Sequence, residues 1–364
     1  MNETDDVYRA LQEHLDKETL GFPATKSSAD IRLLKALFTP EQAEMATMLT
    51  YRYESLEQIY DRAKKSGKSL NEMERILDET AAKGIIGHLT RNGTKQYRNI
   101  PYAAGMLEGT AHLNPTPEFF PANKEYLEEG SFVRAFITTK VPQMRTIPVG
   151  ESITVQHHVA TYDAVREIIQ NTVDPIVVTD CVCRKGAEMR GEPCKQTTRK
   201  DTCIQLRDWA RDFEKVGRKI TKEEALEILK KNEEDGLVLQ PSNAQEPDFI
   251  CSCCGCCCGI LKIHKAIPNP VGLWATNFYA QVNPDACSAC GTCVERCQTG
   301  AMKLDDEKSV SVVDLTRCLG CGLCVTSCPT EAIELRKKER EVTPPSTSEE
   351  MMEVIMTNKK AGSP

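Results

Sequence analysis

Two stretches of the sequence share one cysteine register: "CSACGTCVERCQTGAM" (residues 287–302) and "CLGCGLCVTSCPTEAI" (residues 318–333). Each contains a C-x2-C-x2-C-x3-C run, and the second follows the first at an offset of 31 residues. Three cysteines at intervals of three allow a loop to wrap around one four-iron cluster. A zinc site would use two cysteine pairs and does not need this doubled register. The repeat therefore indicates two matching metal sites with cysteine ligands.

The repeat resembles the bacterial two-cluster ferredoxin module, and this resemblance implies that module's fold and two [4Fe–4S] clusters. In that family the two sites exchange their fourth ligands. The resemblance thus implies a first ligand set of Cys287, Cys290, Cys293 and Cys328, and a second of Cys318, Cys321, Cys324 and Cys297. The first run has Gln298 where the second has Pro329. We still expect Cys297 to bind iron, in a more solvated or mobile corner.

Composition limits the compartment and the class of partner. All 18 cysteines lie between Cys181 and Cys328, and thiols grouped in this way in a reducing compartment are typical metal ligands. The beginning of the chain lacks the pattern of a secretory signal, and no apolar run approaches the length of a membrane span. We expect a cytoplasmic protein with no membrane span. A net charge of -7 argues against a general nucleic-acid binder.

Ten further cysteines lie in the middle of the chain, in two groups. The first group has the pattern C-x-C-x10-C-x8-C, and the second is the stretch "CSCCGCCCG" (residues 251–259), called the knot below. Soft thiolates without nearby histidine favour iron–sulfur clusters over a catalytic zinc. We expect one or two further clusters. The expected ligands are Cys181, Cys183, Cys194 and Cys203 for one set, and Cys251, Cys253, Cys254 and Cys257, ahead of Cys256 and Cys258, for the other.

Whether the knot closes its own cluster or completes its neighbour's is left open by the sequence. In an extended chain, Cys181 and Cys183 would share one face, as would Cys251 and Cys253. Arg184 and Lys185 follow directly. Their positive charge would raise the potential of a nearby cluster, or they are solvated loop charges. His157 and His158 are interpreted as a surface pair before a helix.

Residues 30–101 have the order of three helices and a β-hairpin, which resembles a winged helix. Thr39, Ser55 and Ser69 are predicted N-caps, and Asn92-Gly93 is a strong hairpin signal. Two functions are open: DNA binding through the third helix, or docking of another protein. The third helix carries four acidic residues against two basic ones, which favours docking.

The predicted fold class is α+β, with a winged-helix-like N-terminal domain, a cysteine-rich α/β middle unit and a C-terminal two-cluster ferredoxin fold. The expected divisions are an N-terminal helix (1–29), the winged-helix-like domain (30–101), a connector (102–150), the cysteine-rich unit (151–280), the ferredoxin domain (281–338) and a mobile tail (339–364). Over most of its length the chain resembles multi-cluster ferredoxin-type proteins of anaerobic bacteria and archaea.

These features predict an electron carrier that serves a redox protein or enzyme complex. No acid–base pair, phosphate-binding glycine loop or dinucleotide motif indicates a self-contained enzyme. Two other functions are considered. In one, a middle cluster is catalytic and reduces a substrate such as a disulfide. In the other, a winged-helix transcription regulator senses redox state.

Overall fold

The computed structural model describes residues 3–64, 67–152 and 159–361, so His157 and His158 lie outside the described residues. The chain mixes helix and strand as an α+β protein, as predicted. It divides into two compact units: Met1–Lys140 with Met352–Pro364, and Val141–Met351. Among the described residues, no helix combines the length and apolar character needed to cross a membrane.

The first unit contains mainly helices. Its elements up to residue 100 are α1 (Glu3–Lys17), α2 (Ala29–Leu37), α3 (Pro40–Ala46), β1 (Glu54–Ser55), α4 (Leu56–Ala63), α5 (Leu70–Ala82), β2 (Ile86–Arg91) and β3 (Thr94–Asn99). The three strands form a sheet in the order β1-β3-β2. Thr39, Ser55 and Ser69 each cap a helix in a complete capping box, which confirms the predicted helix starts.

Residues 102–138 are more ordered than the predicted connector. They form an irregular kinked turn (Tyr102–Met106) and the helices α6 (Leu107–Leu113), α7 (Phe119–Glu128) and α8 (Ser131–Thr138). Aromatic rings explain this order, because Tyr126 stacks on Phe22 at 4.6 Å and Tyr102 meets Phe132 edge-on at 5.3 Å. Burying such rings supplies much of a small core's stability.

The predicted mobile tail also forms a helix, α16 (Ser348–Ala361). Met351, Met352, Ile355 and Met356 are buried, which gives the helix an apolar stripe at the i, i+4 spacing. The Glu353 carboxylate accepts hydrogen bonds from Tyr51 (2.9 Å) and Arg52 (2.7 Å). Apolar burial and these polar contacts account for the helix.

The second unit is built on a five-stranded sheet in the order β6-β4-β5-β8-β7. Its first elements are α9 (Val165–Asn171), β4 (Ile176–Asp180), α10 (Val182–Met189), β5 (Asp201–Leu206), α11 (Arg207–Arg211), β6 (Arg218–Lys219), α12 (Lys222–Glu234), β7 (Val238–Pro241), β8 (Phe249–Cys253) and α13 (Gly259–Ala266). Every pair in the sheet is antiparallel. The expected α/β arrangement is therefore wrong. The 181–200 connection joins the end of β4 to the start of β5 at the same end of the sheet, so the two strands run antiparallel.

The same unit continues into the cysteine repeat. This part contains β9 (Phe278–Val282), α14 (Thr292–Arg296), β10 (Met302–Asp305), β11 (Val310–Val313), α15 (Leu323–Thr326) and β12 (Ile333–Lys337). β9 pairs with β12 and β10 with β11, both antiparallel. The elements correspond in pairs about 31 residues apart: β9 with β11, α14 with α15, and β10 with β12. The expected cysteine-rich unit (151–280) and ferredoxin domain (281–338) thus fall within one compact unit.

Candidate metal centres

The first predicted ligand set lines one small cavity. Cys287, Cys290 and Cys293 of the first repeat reach it together with Cys328, the last cysteine of the second repeat. Cys290 is exposed, whereas Cys293 is buried. The structure thus brings together the four thiols that the ferredoxin resemblance implied, with the fourth exchanged between repeats.

The second predicted set is also brought together, and it is buried more deeply. Burial, reinforced by the neighbouring thiols of Cys297 and Cys318, raises the pKa of Cys321 to about 12. Burial also raises the pKa of Cys324, beside Cys321, Cys318 and Cys297. Buried thiols of this kind lose their protons when they bind metal.

Backbone N–H groups point at sulfur atoms in a pattern that repeats across the two halves. Ala280 donates to the sulfur of Cys318 at 3.3 Å, and Ser311, 31 residues later, donates to the sulfur of Cys287 at 3.4 Å. Ala301 and Ala332 likewise donate to Cys297 (3.2 Å) and Cys328 (3.3 Å). Such bonds stabilise thiolates and tune iron–sulfur centres. The donor set therefore suits two clusters of the ferredoxin type.

The loops that carry these cysteines need left-handed backbone at matching positions. Gly291 has φ 78° and its counterpart Gly322 has φ 80°. At Gly320 (φ 62°) a Cβ would lie 2.2 Å from the carbonyl oxygen of Phe278. Glycine allows this close approach and this backbone conformation.

Gln298, which replaces the expected proline, is buried and hydrogen-bonded. Its Oε1 accepts the backbone N–H of Gly255 in the knot at 2.8 Å, and its Nε2 donates to Gln196 at 2.9 Å. The side chain is held at both ends, so the expected solvated or mobile corner after Cys297 is wrong.

The ten middle cysteines separate into two groups that differ from the predicted sets. Six of them form a closed ring of neighbouring thiols, called the six-thiol ring. Around the ring the order of contact is Cys181, Cys203, Cys251, Cys253, Cys258 and Cys183, which returns to Cys181. Contacts with Cys183 and Cys203, aided by Arg184, lower the pKa of Cys181 well below its usual value.

The other four middle cysteines form a compact cluster, called the four-thiol group. Its members are Cys194, Cys254, Cys256 and Cys257, whose sulfurs all lie within 4.8 Å of one another. Cys194 is 3.6 Å from Cys254 and 3.7 Å from Cys256. The structure therefore does not assemble either predicted middle set: Cys194 leaves the first, and the second is divided between the ring and this group.

The sheet positions the six-thiol ring. β4 ends at Asp180, and the N–H of Cys181 donates to the carbonyl of Lys200 at 2.8 Å, just before β5 begins. Cys203 lies on β5. Cys251 and Cys253 lie two positions apart on β8, so they share a face, as predicted. Cys181 and Cys183 are not in an extended chain, because Cys181 is the N-cap of α10 and Cys183 lies in its first turn, yet both reach the ring.

Arg184 lies among these thiols, close to both the six-thiol ring and the four-thiol group. Arg184 is 3% exposed; its guanidinium donates to the carbonyl of Ser252 at 3.2 Å and lies 4.0 Å from the sulfur of Cys254. Although burial opposes its charge, nearby Cys181 and Cys203 raise the pKa of Arg184. Lys185 is half-buried on the following position of the same helix. Of the two predicted tuning residues, the structure brings Arg184 to the thiols.

Comparison with known proteins identifies one region. A family model described as a 4Fe-4S dicluster domain matches residues 280–335. No curated protein matches the chain, and no solved structure matches it. The match covers both cysteine repeats and the strands that join them. Together with the close cysteine groups, it identifies an iron–sulfur protein with a ferredoxin-like domain.

Proposed function

We propose that this chain is an electron-transfer protein with two [4Fe–4S] clusters in residues 280–335 and at least one further cluster on the six-thiol ring. It exchanges electrons with a redox protein or enzyme complex in the cytoplasm. The observation that carries the proposal is the exchange of fourth cysteines between the repeats, since Cys328 joins the first three cysteines at one cavity. When bound, such clusters supply one-electron transfer.

Each ferredoxin site would be held by its own four thiols. Cys287, Cys290, Cys293 and Cys328 would hold the first cluster, and Cys297, Cys318, Cys321 and Cys324 the second. Cys290 is exposed, and this favours electron exchange with a partner at the first site. The two sites are close, because Cys293 is among the neighbours that raise the pKa of Cys324.

The contact between Gln298 and Gly255 supports transfer between the ferredoxin sites and the middle cysteines. Gln298 directly follows Cys297, and Gly255 lies inside the knot. The 2.8 Å hydrogen bond fixes these two segments against each other within one compact unit. A fixed geometry of this kind is what a relay between neighbouring centres needs.

The winged-helix-like region is assigned here to protein docking. Lys95 on the β-hairpin pairs with Glu74 (3.0 Å) and Asp78 (2.8 Å) of α5, so its charge is already matched within the unit. DNA binding relies on cations that neutralise phosphates. The acidic α5 and its pairing with Lys95 therefore favour a protein partner over duplex DNA.

A redox titration of anaerobically purified protein, followed by electron paramagnetic resonance, tests the proposal. We expect two interacting ferredoxin signals and at least one additional centre. Cys203→Ser should remove the additional centre and leave the ferredoxin signals in place. Cys290→Ser should alter a ferredoxin signal and leave the additional centre. If only two centres appear in the wild type, the relay through the middle unit is wrong.

A further inference from the structure

The four-thiol group is spaced for one metal ion. Three of its six sulfur–sulfur distances are 3.6 Å for Cys194 to Cys254, and 3.7 Å for both Cys194 to Cys256 and Cys256 to Cys257, and all six are within 4.8 Å. Four sulfurs bound tetrahedrally to zinc at about 2.3 Å would lie about 3.8 Å apart. The observed spacing is therefore that of a single tetrahedral ion.

The ferredoxin sets give an internal comparison. Among the described residues, the four-thiol group is the set of cysteine, histidine and carboxylate groups whose ligand atoms all approach within 4.8 Å. Neither ferredoxin set meets that spacing, although each gathers four thiols. A cubane binds each thiolate through a different iron and so holds the sulfurs further apart. The contrast separates the four-thiol group from the cluster sites of the same molecule.

We propose that Cys194, Cys254, Cys256 and Cys257 bind one zinc ion in a closed structural site. A set of four cysteines is a common structural zinc site, and zinc has no redox chemistry of its own. Cys254 and Cys257 are buried, at 1% and 6% exposure, as expected for a site without an open position. The group consists of cysteine alone, whereas a catalytic zinc keeps an open position and commonly a nitrogen or oxygen ligand, so a structural zinc is the better fit.

The surroundings of the group suit a dianionic tetrathiolate centre. Arg184 is 3% exposed, its Nη1 lies 4.0 Å from the Cys254 sulfur, and its Nε has no hydrogen-bond partner among the described residues. A buried guanidinium needs a counter-charge. The side chains that hydrogen-bond to it are those of Thr202 and Cys254, neither of which is a carboxylate. Thiolate sulfur of Cys254, together with that of Cys181 and Cys203 in the six-thiol ring, would supply the counter-charge.

The proposed ion would join two distant parts of the chain. Cys194 comes from the 181–200 connection, and the other three cysteines come from the knot. The backbone N–H of Gly255, between Cys254 and Cys256, donates a hydrogen bond to the side chain of Gln298 in the ferredoxin repeat. The site would thus fix the connection, the knot and the ferredoxin repeat around the six-thiol ring. It would shape the electron path without carrying electrons.

The test combines metal analysis of the full-length, anaerobically purified protein with X-ray absorption spectroscopy at the zinc edge. We expect about one zinc per chain with four sulfurs at about 2.3 Å. Cys194→Ser and, separately, Cys256→Ser should remove that zinc while the iron content and the ferredoxin signals remain. Cys290→Ser, the matched control, should alter the iron and keep the zinc. The retained ferredoxin signals show that Cys194→Ser and Cys256→Ser have folded, and the retained zinc shows the same for Cys290→Ser.

Two results would overturn the zinc site: wild-type protein without zinc, or Cys194→Ser that loses about four irons, as a cubane would require. This inference does not depend on the electron-transfer proposal. If the electron-transfer proposal is wrong, the wild-type protein will show only the two ferredoxin centres, whatever its zinc content.

Discussion

The side-chain oxygen of Gln298 accepts a 2.8 Å hydrogen bond from the backbone N–H of Gly255. The contact joins the residue after Cys297, in the ferredoxin-like repeat, to the centre of the knot. At this position the second repeat has Pro329, which has no side chain able to accept such a bond. The first repeat therefore has glutamine at this position because its side chain binds the knot. Pro329 of the second repeat could not make that contact.

Removing the Gln298 acceptor should destabilise the second unit. In Gln298→Ala the buried N–H of Gly255 loses its partner, at a cost of about 1–3 kcal/mol in the free energy of unfolding. Gln281→Ala, an exposed site in the same domain, is the matched control and should change stability little. Thermal unfolding of both anaerobic proteins checks this. Equal midpoints for the two variants would show that the contact carries no stability.

Two glycines of the knot should respond differently to the same change. At Gly255 a Cβ would lie 2.3 Å from the carbonyl oxygen of Gln298, whereas at Gly259 an added Cβ would meet nothing within 4 Å apart from its own chain neighbours and helix backbone. We expect Gly255→Ala to separate the knot from the repeat and to lower the metal content of the middle unit. Gly259→Ala should retain it. Metal analysis and absorption spectra measure the difference, and a normal metal load in Gly255→Ala would contradict the packing described.

Arg184 should set the potential of the centre on the six-thiol ring. Arg184→Gln removes a buried positive charge beside Cys181 and Cys203, so the reduced state loses stabilisation and the potential falls. Arg184→Lys should retain most of the wild-type potential, and Lys185→Gln should have little effect. Redox titration followed by electron paramagnetic resonance compares the three. A larger shift for Lys185→Gln than for Arg184→Gln would reverse the assignment.

Ser311 should tune the first ferredoxin site alone. Its hydroxyl oxygen lies 3.1 Å from the sulfur of Cys293, and its counterpart in the second site is Ala280, which has no hydroxyl. Since hydrogen bonds to cluster sulfurs raise the potential, Ser311→Ala should lower it at the first site only. Val312→Ala, on the next residue, serves as the control. The same titration measures both, and an equal shift at the two sites would disprove a local effect.

The sequence predicts the ferredoxin repeat well because its spacing is periodic. A doubled register fixes which cysteines correspond, and the structure gathers both implied sets. The capping boxes at Thr39, Ser55 and Ser69 were predictable for a similar reason, since capping depends on residues three positions apart. The helices after residue 102 were harder to predict, because their stability comes from aromatic contacts between distant residues such as Phe22 and Tyr126.

The grouping of the middle cysteines could not be read from spacing alone. Strand alternation places Cys251 and Cys253 on one face, but the chain then turns at Gly255, and no period relates the thiols on either side. Cys254, Cys256 and Cys257 meet Cys194, while Cys258 returns to the ring. From the sequence, Cys256 and Cys258 were the less favoured ligands of the knot. In the structure, Cys256 belongs to the four-thiol group and Cys258 to the six-thiol ring. Only the tertiary fold assigns them.

The most direct test of the central claim is the number of irons and acid-labile sulfides per chain in anaerobically purified protein. Because each cubane holds four irons, two ferredoxin clusters and a further one on the six-thiol ring predict about twelve irons or more. Cys203→Ser should lower the count towards about eight and keep the ferredoxin signals. A wild-type count of about eight, unchanged in Cys203→Ser, would confine the clusters to the ferredoxin repeat and contradict the proposed relay.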